Sequence, residues 1–214
     1  DYPEDQPFTE IGERAFAGNP YLYDVTLPDA VTKIGANAIE NCEELYYFTA
    51  NGVTEIGAYA FKDDTELYYV SAPKLTKIAE GTFYRAYLST FESGELEEIP
   101  DYAFYRTQGK AEIPIAEGTV IGNFAFGDIN SAVTRIDFSR VASIGDAAFG
   151  YESHGGWSSS GSDRYDLDLT NVKHIGKYAI SGNGNLRSVK FSPSLTELPE
   201  GVLSGTPYLE SVSA

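Results

Sequence analysis

A six-residue cassette, Ile-Gly-x-x-Ala-Phe, constrains this 214-residue chain more than any other feature. It is first met as Ile11, Gly12, Ala15 and Phe16 and returns, with substitutions, beginning at Ile34, Ile56, Ile78, Ile99, Ile121, Ile144, Ile175 and Leu198. The steps between successive copies are 23, 22, 22, 21, 22, 23, 31 and 23 residues. A period of this length is the signature of a solenoid, in which each coil buries its apolar side chains only against its neighbours. Architecture is therefore written plainly in the sequence, whereas no ligand is.

Each slot has a physical reading. Ile, Ala and Phe sit at i, i+4 and i+5, which on a short helical turn places all three on the inward side. The Gly after Ile gives the chain a tight or left-handed conformation as it enters that turn, and Pro100 and Pro199 fill the same slot as first helical residues. After the cassette, segments such as Leu22, Val25, Leu27 and Leu67, Val70, Ala72 show the alternation of a strand. A further apolar residue three positions before the next cassette, such as Val31, Val53, Leu75, Leu96, Val141, Val172 or Leu195, closes the coil.

This unit resembles the repeat of the bacterial BspA-like leucine-rich repeat family: a strand ending in Leu-Pro, a connector, then Ile-Gly-x-x-Ala-Phe. The likeness implies an α/β repeat solenoid, a right-handed superhelix with short strands on one face and short helices on the other. One domain of about nine coils is expected over residues 8–214, preceded by a linker remnant at 1–7 and interrupted by an insertion at 151–163. The family often places Cys three residues after the Phe; this chain does so only at Cys42, where a small buried filler is expected. The likeness also implies a secreted or cell-surface bacterial protein that acts in adhesion or recognition. The alternatives are a structural spacer that displays another domain and a glycan-binding module.

Lys and Arg total 15 against 32 Asp and Glu, a formal charge of −17. Such a field repels phosphate backbones and anionic headgroups, so nucleic acid and peripheral membrane binding are disfavoured. No apolar run approaches the roughly 18 residues that would argue a membrane span. The single Cys permits no internal disulfide.

Stacked coils turn sequence columns into a surface map. Outward strand positions in the first three coils gather Tyr23, Tyr46, Tyr47, Tyr68 and Tyr69. Tyrosine offers large, rigid, amphipathic contact area, so these five are candidate ligand-binding residues; an aromatic ladder that packs for its own stability is the competing reading. Trp157, on the Gly- and Ser-rich insertion, is a sixth candidate, either inserting into a partner or folding back on the adjacent coil. Further along, Asp137 beside Asp168 raises a calcium site against a charged face neutralised by its own Arg and Lys; the second reading is preferred, and no metal or cofactor is expected.

Catalysis finds poor material. His154 lies in the insertion and His174 beside Lys173 in an outward connector, and no nucleophile-elbow, zinc-protease, P-loop or paired-Cys motif occurs. The chain reads as a non-enzyme whose partner is an extracellular protein or a glycan.

Overall fold

A computed structural model describes residues 7–129, 136–150 and 164–214. The chain winds as a parallel β-solenoid whose nine cassettes fall one above another, as the repeat requires. Two columns of short strands run along it. In the first, the cassette strands Glu10–Ile11, Lys33–Ile34, Glu55–Ile56 and Lys77–Ile78 pair in parallel with each Ile opposite the next. Leu96–Ile99, Ile115–Ile121, Val141–Ile144 and His174–Ile175 form a second sheet of the same kind. In the other column, Asp24–Thr26, Tyr47–Thr49, Tyr69–Ala72 and Thr90–Ser93 make a four-stranded parallel sheet. A sheet of Tyr165–Leu169, Leu186–Phe191 and Ser211–Ser213 lies toward the C-terminus.

The core follows the slots read from the sequence. Ile34, Ala38, Ile56, Ala60, Phe61, Ala103, Phe104, Ala125 and Phe126 are fully buried, within one apolar cluster running from Ile11 to Val202. Phe61, Phe83, Phe104, Phe126 and Phe149 form a near-parallel stack with centroids 5.3, 5.4, 5.2 and 5.1 Å apart. Such offset stacking adds to what area burial alone supplies. Cys42 is buried as expected and also donates through Sγ to the Phe16 carbonyl at 3.1 Å.

The expected helices do not form. Among the described residues the helical content is one 3₁₀ turn, Phe138–Arg140. The reason is backbone conformation: the third residue after each cassette Ile or Leu is left-handed. Arg14, Asn37, Tyr59, Gly81, Tyr102, Phe124, Ala147, Tyr178 and Gly201 all have φ between 49° and 65°. Four residues later the left-handed conformation recurs at Gly18, Asn41, Asp63, Arg85, Arg106, Asp128, Gly182 and Gly205. A right-handed helix cannot pass through such residues. Alternate N–H groups instead point to the next coil, as in Arg14→Ala36 O (3.1 Å), Phe16→Ala38 O (2.7 Å) and Gly18→Glu40 O (2.8 Å). Residues between them close local turns, as in Ala17 N–H→Arg14 O at 3.2 Å.

The cassette Gly is also explained differently. It is not left-handed; it is needed because a Cβ would strike the backbone of the coil before. At Gly57 that atom would lie 2.7 Å from Ala36 N, and at Gly145 2.7 Å from Asn123 N, whereas at Gly12, in the first coil, it meets nothing within 4 Å. These Gly N–H groups bond the preceding cassette's Ile carbonyl, for example Gly57→Ile34 O and Gly122→Ile99 O at 2.8 and 2.7 Å. Two coils break this rule in succession. Ala79 N–H turns to Thr82 Oγ1 at 3.0 Å, and Pro100 has no N–H to give. There the cassette-strand ladder stops between Lys77–Ile78 and Leu96–Ile99, and a cleft of about 620 Å³ opens beside Ile56, Ile78 and Ala79.

Candidate functional site

The tyrosine surface arises from a small backbone irregularity repeated in register. In a plain strand, neighbouring side chains face opposite ways. Here the Tyr23 carbonyl accepts both Tyr46 N–H and Tyr47 N–H, at 2.9 and 3.2 Å. The Tyr46 carbonyl does the same for Tyr68 and Tyr69 (3.1 and 3.0 Å), and the Tyr68 carbonyl for Ser89 and Thr90 (3.1 and 3.0 Å). Two residues facing one carbonyl is the geometry of a bulge, which brings consecutive side chains to the same side. Leu45 and Phe48 on either side stay buried.

The five strand-face tyrosines proposed from sequence come together. Tyr23 stacks on Tyr46 with centroids 5.6 Å apart and planes 12° apart, and Tyr46 stacks on Tyr68 at 4.9 Å and 5°. Tyr47 stands edge-on to Tyr46 at 4.8 Å and 66° and leans toward Tyr69 at 6.3 Å and 59°. A sixth ring, Tyr87, continues the stack from Tyr68 at 6.3 Å and 16°. Sequence columns missed it because Ser89 is the backbone equivalent of Tyr68; Tyr87 reaches the column from two residues upstream. Repeat position gave no cue, since Tyr21, which holds the corresponding place in the first coil, stays 85% exposed and outside the stack.

Tyr23, Tyr47 and Tyr68 remain 52, 40 and 39% exposed despite this packing. Tyr69 donates its hydroxyl to Glu92 Oε2 at 2.8 Å. The hydroxyls of Tyr23, Tyr46, Tyr47, Tyr68 and Tyr87 have no hydrogen-bond partner among the described residues. Desolvation by the surrounding rings, and then the adjacent phenols of Tyr47, Tyr68, Tyr23 and Tyr87, push the Tyr46 hydroxyl above its ordinary range. Tyr46 is therefore a neutral hydrogen-bond donor and acceptor at physiological pH.

The other positions singled out in the sequence behave differently. Trp157, His154 and the 151–163 insertion lie outside the described residues, as do Asp1 to Gln6 of the expected linker. Asp137 and Asp168 make no joint site. Each accepts from a residue two positions on, Asp137 from Ser139 (2.6 and 3.0 Å) and Asp168 from Thr170 (2.7 and 3.0 Å). Asp166 is bound by Arg187 and by Ser188 Oγ, chiefly the former, and its carboxyl is lowered to about 2. The charged C-terminal face is thus neutralised internally there. His174 is exposed at its strand edge. Among the described residues, no group of three or more His, Cys, Asp and Glu side chains is placed to hold a metal ion, and no helix is long and apolar enough to cross a membrane.

The family model for the BspA-type leucine-rich repeat region matches residues 4–109 and 97–214, with six copies. The chain belongs to this family. Among solved structures, this BspA-type chain is similar to the pneumococcal vaccine antigen PcpA, at 20% identity and a TM-score of 0.55, over 95% of this chain and 59% of that one. It is also similar to a leucine-rich cell-surface protein of Faecalibacterium prausnitzii, at 23% identity and a TM-score of 0.45, covering 95% of this chain and 70% of the other. A leucine-rich repeat protein of Eubacterium ventriosum matches at 18% identity and 0.44, over 88% and 65% respectively. No curated protein matches this chain.

Proposed function

We propose that this BspA-type solenoid is a recognition module of a bacterial surface protein, and that it binds a protein partner through the tyrosine face. One observation carries the reading: six rings meet on one side of four coils, and five of their hydroxyls have no partner in the described chain. A ladder that served stability alone would gain from pairing its polar tips, as Tyr69 does with Glu92. An exposed aromatic patch with free hydrogen-bonding tips is instead the composition of a contact surface.

Ring orientation favours protein over glycan. Stacking on a sugar needs a bare aromatic face, but in the Tyr23–Tyr46–Tyr68–Tyr87 column neighbours cover the faces of the inner rings. What these rings present outward is edges and hydroxyls, suited to side-chain packing and hydrogen bonding. The test is the double variant Tyr47→Ala/Tyr69→Ala, applied to protein and glycan arrays with circular dichroism confirming the fold. Loss by the variant of the parent's retention on protein spots supports the reading; unchanged retention refutes it and favours a spacer, and a parent retained on glycan spots alone refutes the choice of partner.

A further inference from the structure

Resting on that reading, we infer that the tyrosine face is built for a cationic partner, a protein surface or segment rich in arginine. The argument is the distribution of charge around the rings. Two positions upstream of Tyr46 and Tyr68, where Tyr87 stands in the fourth coil, are Glu44 and Glu66, both exposed. On the other flank, Asp24 lies opposite Tyr47 in the strand register, and Glu92 accepts from Tyr69. Carboxylates thus border the ring column on both sides.

Little basic charge answers them: Lys110 in the next coil is exposed, with its N–H on the Leu88 carbonyl at 2.9 Å, but within the four ring-bearing coils the basic side chains are mostly engaged elsewhere. The strands Asp24–Thr26, Tyr47–Thr49, Tyr69–Ala72 and Thr90–Ser93 contain no Lys or Arg. Six basic residues lie between residues 8 and 93, and five are engaged elsewhere: Arg14 with Glu40, Lys33 with Glu55, Lys62 with Glu40 and Asp63, Lys77 with Glu97, and Arg85 with Asp63. The sixth, Lys74, follows the strand in a connector. This contrasts with the C-terminal sheet, where Arg187 closes on Asp166.

Arginine fits better than lysine. A guanidinium is planar, more weakly hydrated than an ammonium, and carries several fixed donors. One guanidinium can lie against the inclined rings of Tyr47 and Tyr69 while donating to a phenol oxygen, and others of the same partner can pair with Glu44 and Glu66 on the opposite flank. Complementary charge of this kind raises the association rate and rejects anionic partners.

The test measures binding of fluorescently labelled oligo-arginine, oligo-lysine and oligo-glutamate of equal length to the full chain, by anisotropy, across a salt series. The expected order is arginine above lysine, with no binding of glutamate and weakening as salt rises. Glu44→Gln/Glu66→Gln should weaken oligo-arginine binding about tenfold, the scale of losing charge-assisted contacts. Glu13→Gln/Glu98→Gln removes the same charge away from the rings and should leave binding within about twofold if long-range attraction is screened. Equal losses in the two double variants, or no oligo-arginine binding, overturn the inference. Tyr47→Ala/Tyr69→Ala separates the two levels: if it binds oligo-arginine as the parent does, the ring face itself is not the site. If the ring variant loses binding but the two charge variants do not differ, the face recognises its partner without the carboxylates. Tyr47→Phe/Tyr69→Phe, which keeps the rings, covers loss of fold in the alanine variant and should retain most of the affinity.

Discussion

Replacing Asp64 by Asn should make this protein more stable at neutral pH, although Asp64 is wholly buried and already hydrogen-bonded. Its Oδ1 accepts the Cys42 N–H at 2.7 Å, while Oδ2 is buried without a partner. Burial, with added repulsion from Asp63 and Glu40, pushes the carboxyl well above the usual range against the lowering effect of the Cys42 N–H. An unfolded Asp titrates near 3.9, so between there and the raised folded value the native state holds a proton that the unfolded chain has lost. Stability contributed by this group is therefore greatest in acid and falls as pH rises through that window. Asn cannot titrate, and its slot already accepts it: Asn19 and Asn183 occupy the equivalent position, the former donating to the Phe16 carbonyl at 2.6 Å. Relief of a buried unsatisfied polar atom is worth about 1–3 kcal/mol. For a chain of this size each kcal/mol corresponds to about 2–4 °C in melting temperature. Thermal unfolding of both proteins between pH 4 and 8, followed by circular dichroism, provides the check. The variant's advantage should grow with pH; an advantage independent of pH, or a variant less stable at pH 8, would refute the reasoning.

Two glycine and alanine exchanges probe the coil geometry. Gly57→Ala forces a methyl to within 2.7 Å of Ala36 N and should cost about 1–3 kcal/mol as overpacking, whereas Gly12→Ala meets open space and should stay within about 0.5 kcal/mol; similar costs at both sites would show that contact with the previous coil is not what selects Gly. Ala147→Gly relieves a left-handed alanine at φ 49°. That relief of about 1–2 kcal/mol, less about 0.5–1 kcal/mol for glycine's greater unfolded entropy, predicts a net gain of about 0–1.5 kcal/mol in urea titrations; a loss would mean that the turn does not strain its residue.

What could be read in advance divides along a physical line. Ile, Ala and Phe at fixed positions report burial, and burial depends on composition, so the core of Ile56, Ala60 and Phe61 was legible. Backbone conformation was not. The left-handed position is filled by Arg14, Asn37, Tyr59, Gly81, Tyr102, Phe124, Ala147, Tyr178 and Gly201, residue types with no shared preference that would announce it. An inward spacing of i, i+4 and i+5 is satisfied equally by a helical turn and by a run of turns bonded to the next coil. The five tyrosines were placed together because register is inherited from the repeat. Tyr87 escaped because its ring, not its backbone, joins the column.

The interruption at Ala79 and Pro100 bears on how the molecule would respond to force. Cassette-side backbone bonding thins there to Glu97 N–H on Thr76 O at 3.0 Å, while the turn side keeps its regular series, with Phe83 N–H reaching Ala103 O at 2.8 Å and Arg85 N–H reaching Tyr105 O at 2.8 Å. A joint bonded so unevenly gives way by bending toward its better-bonded edge. All six clustered rings lie on coils before or at this joint, so flexure would swing the C-terminal coils as a body while the spacing of the phenols stayed fixed.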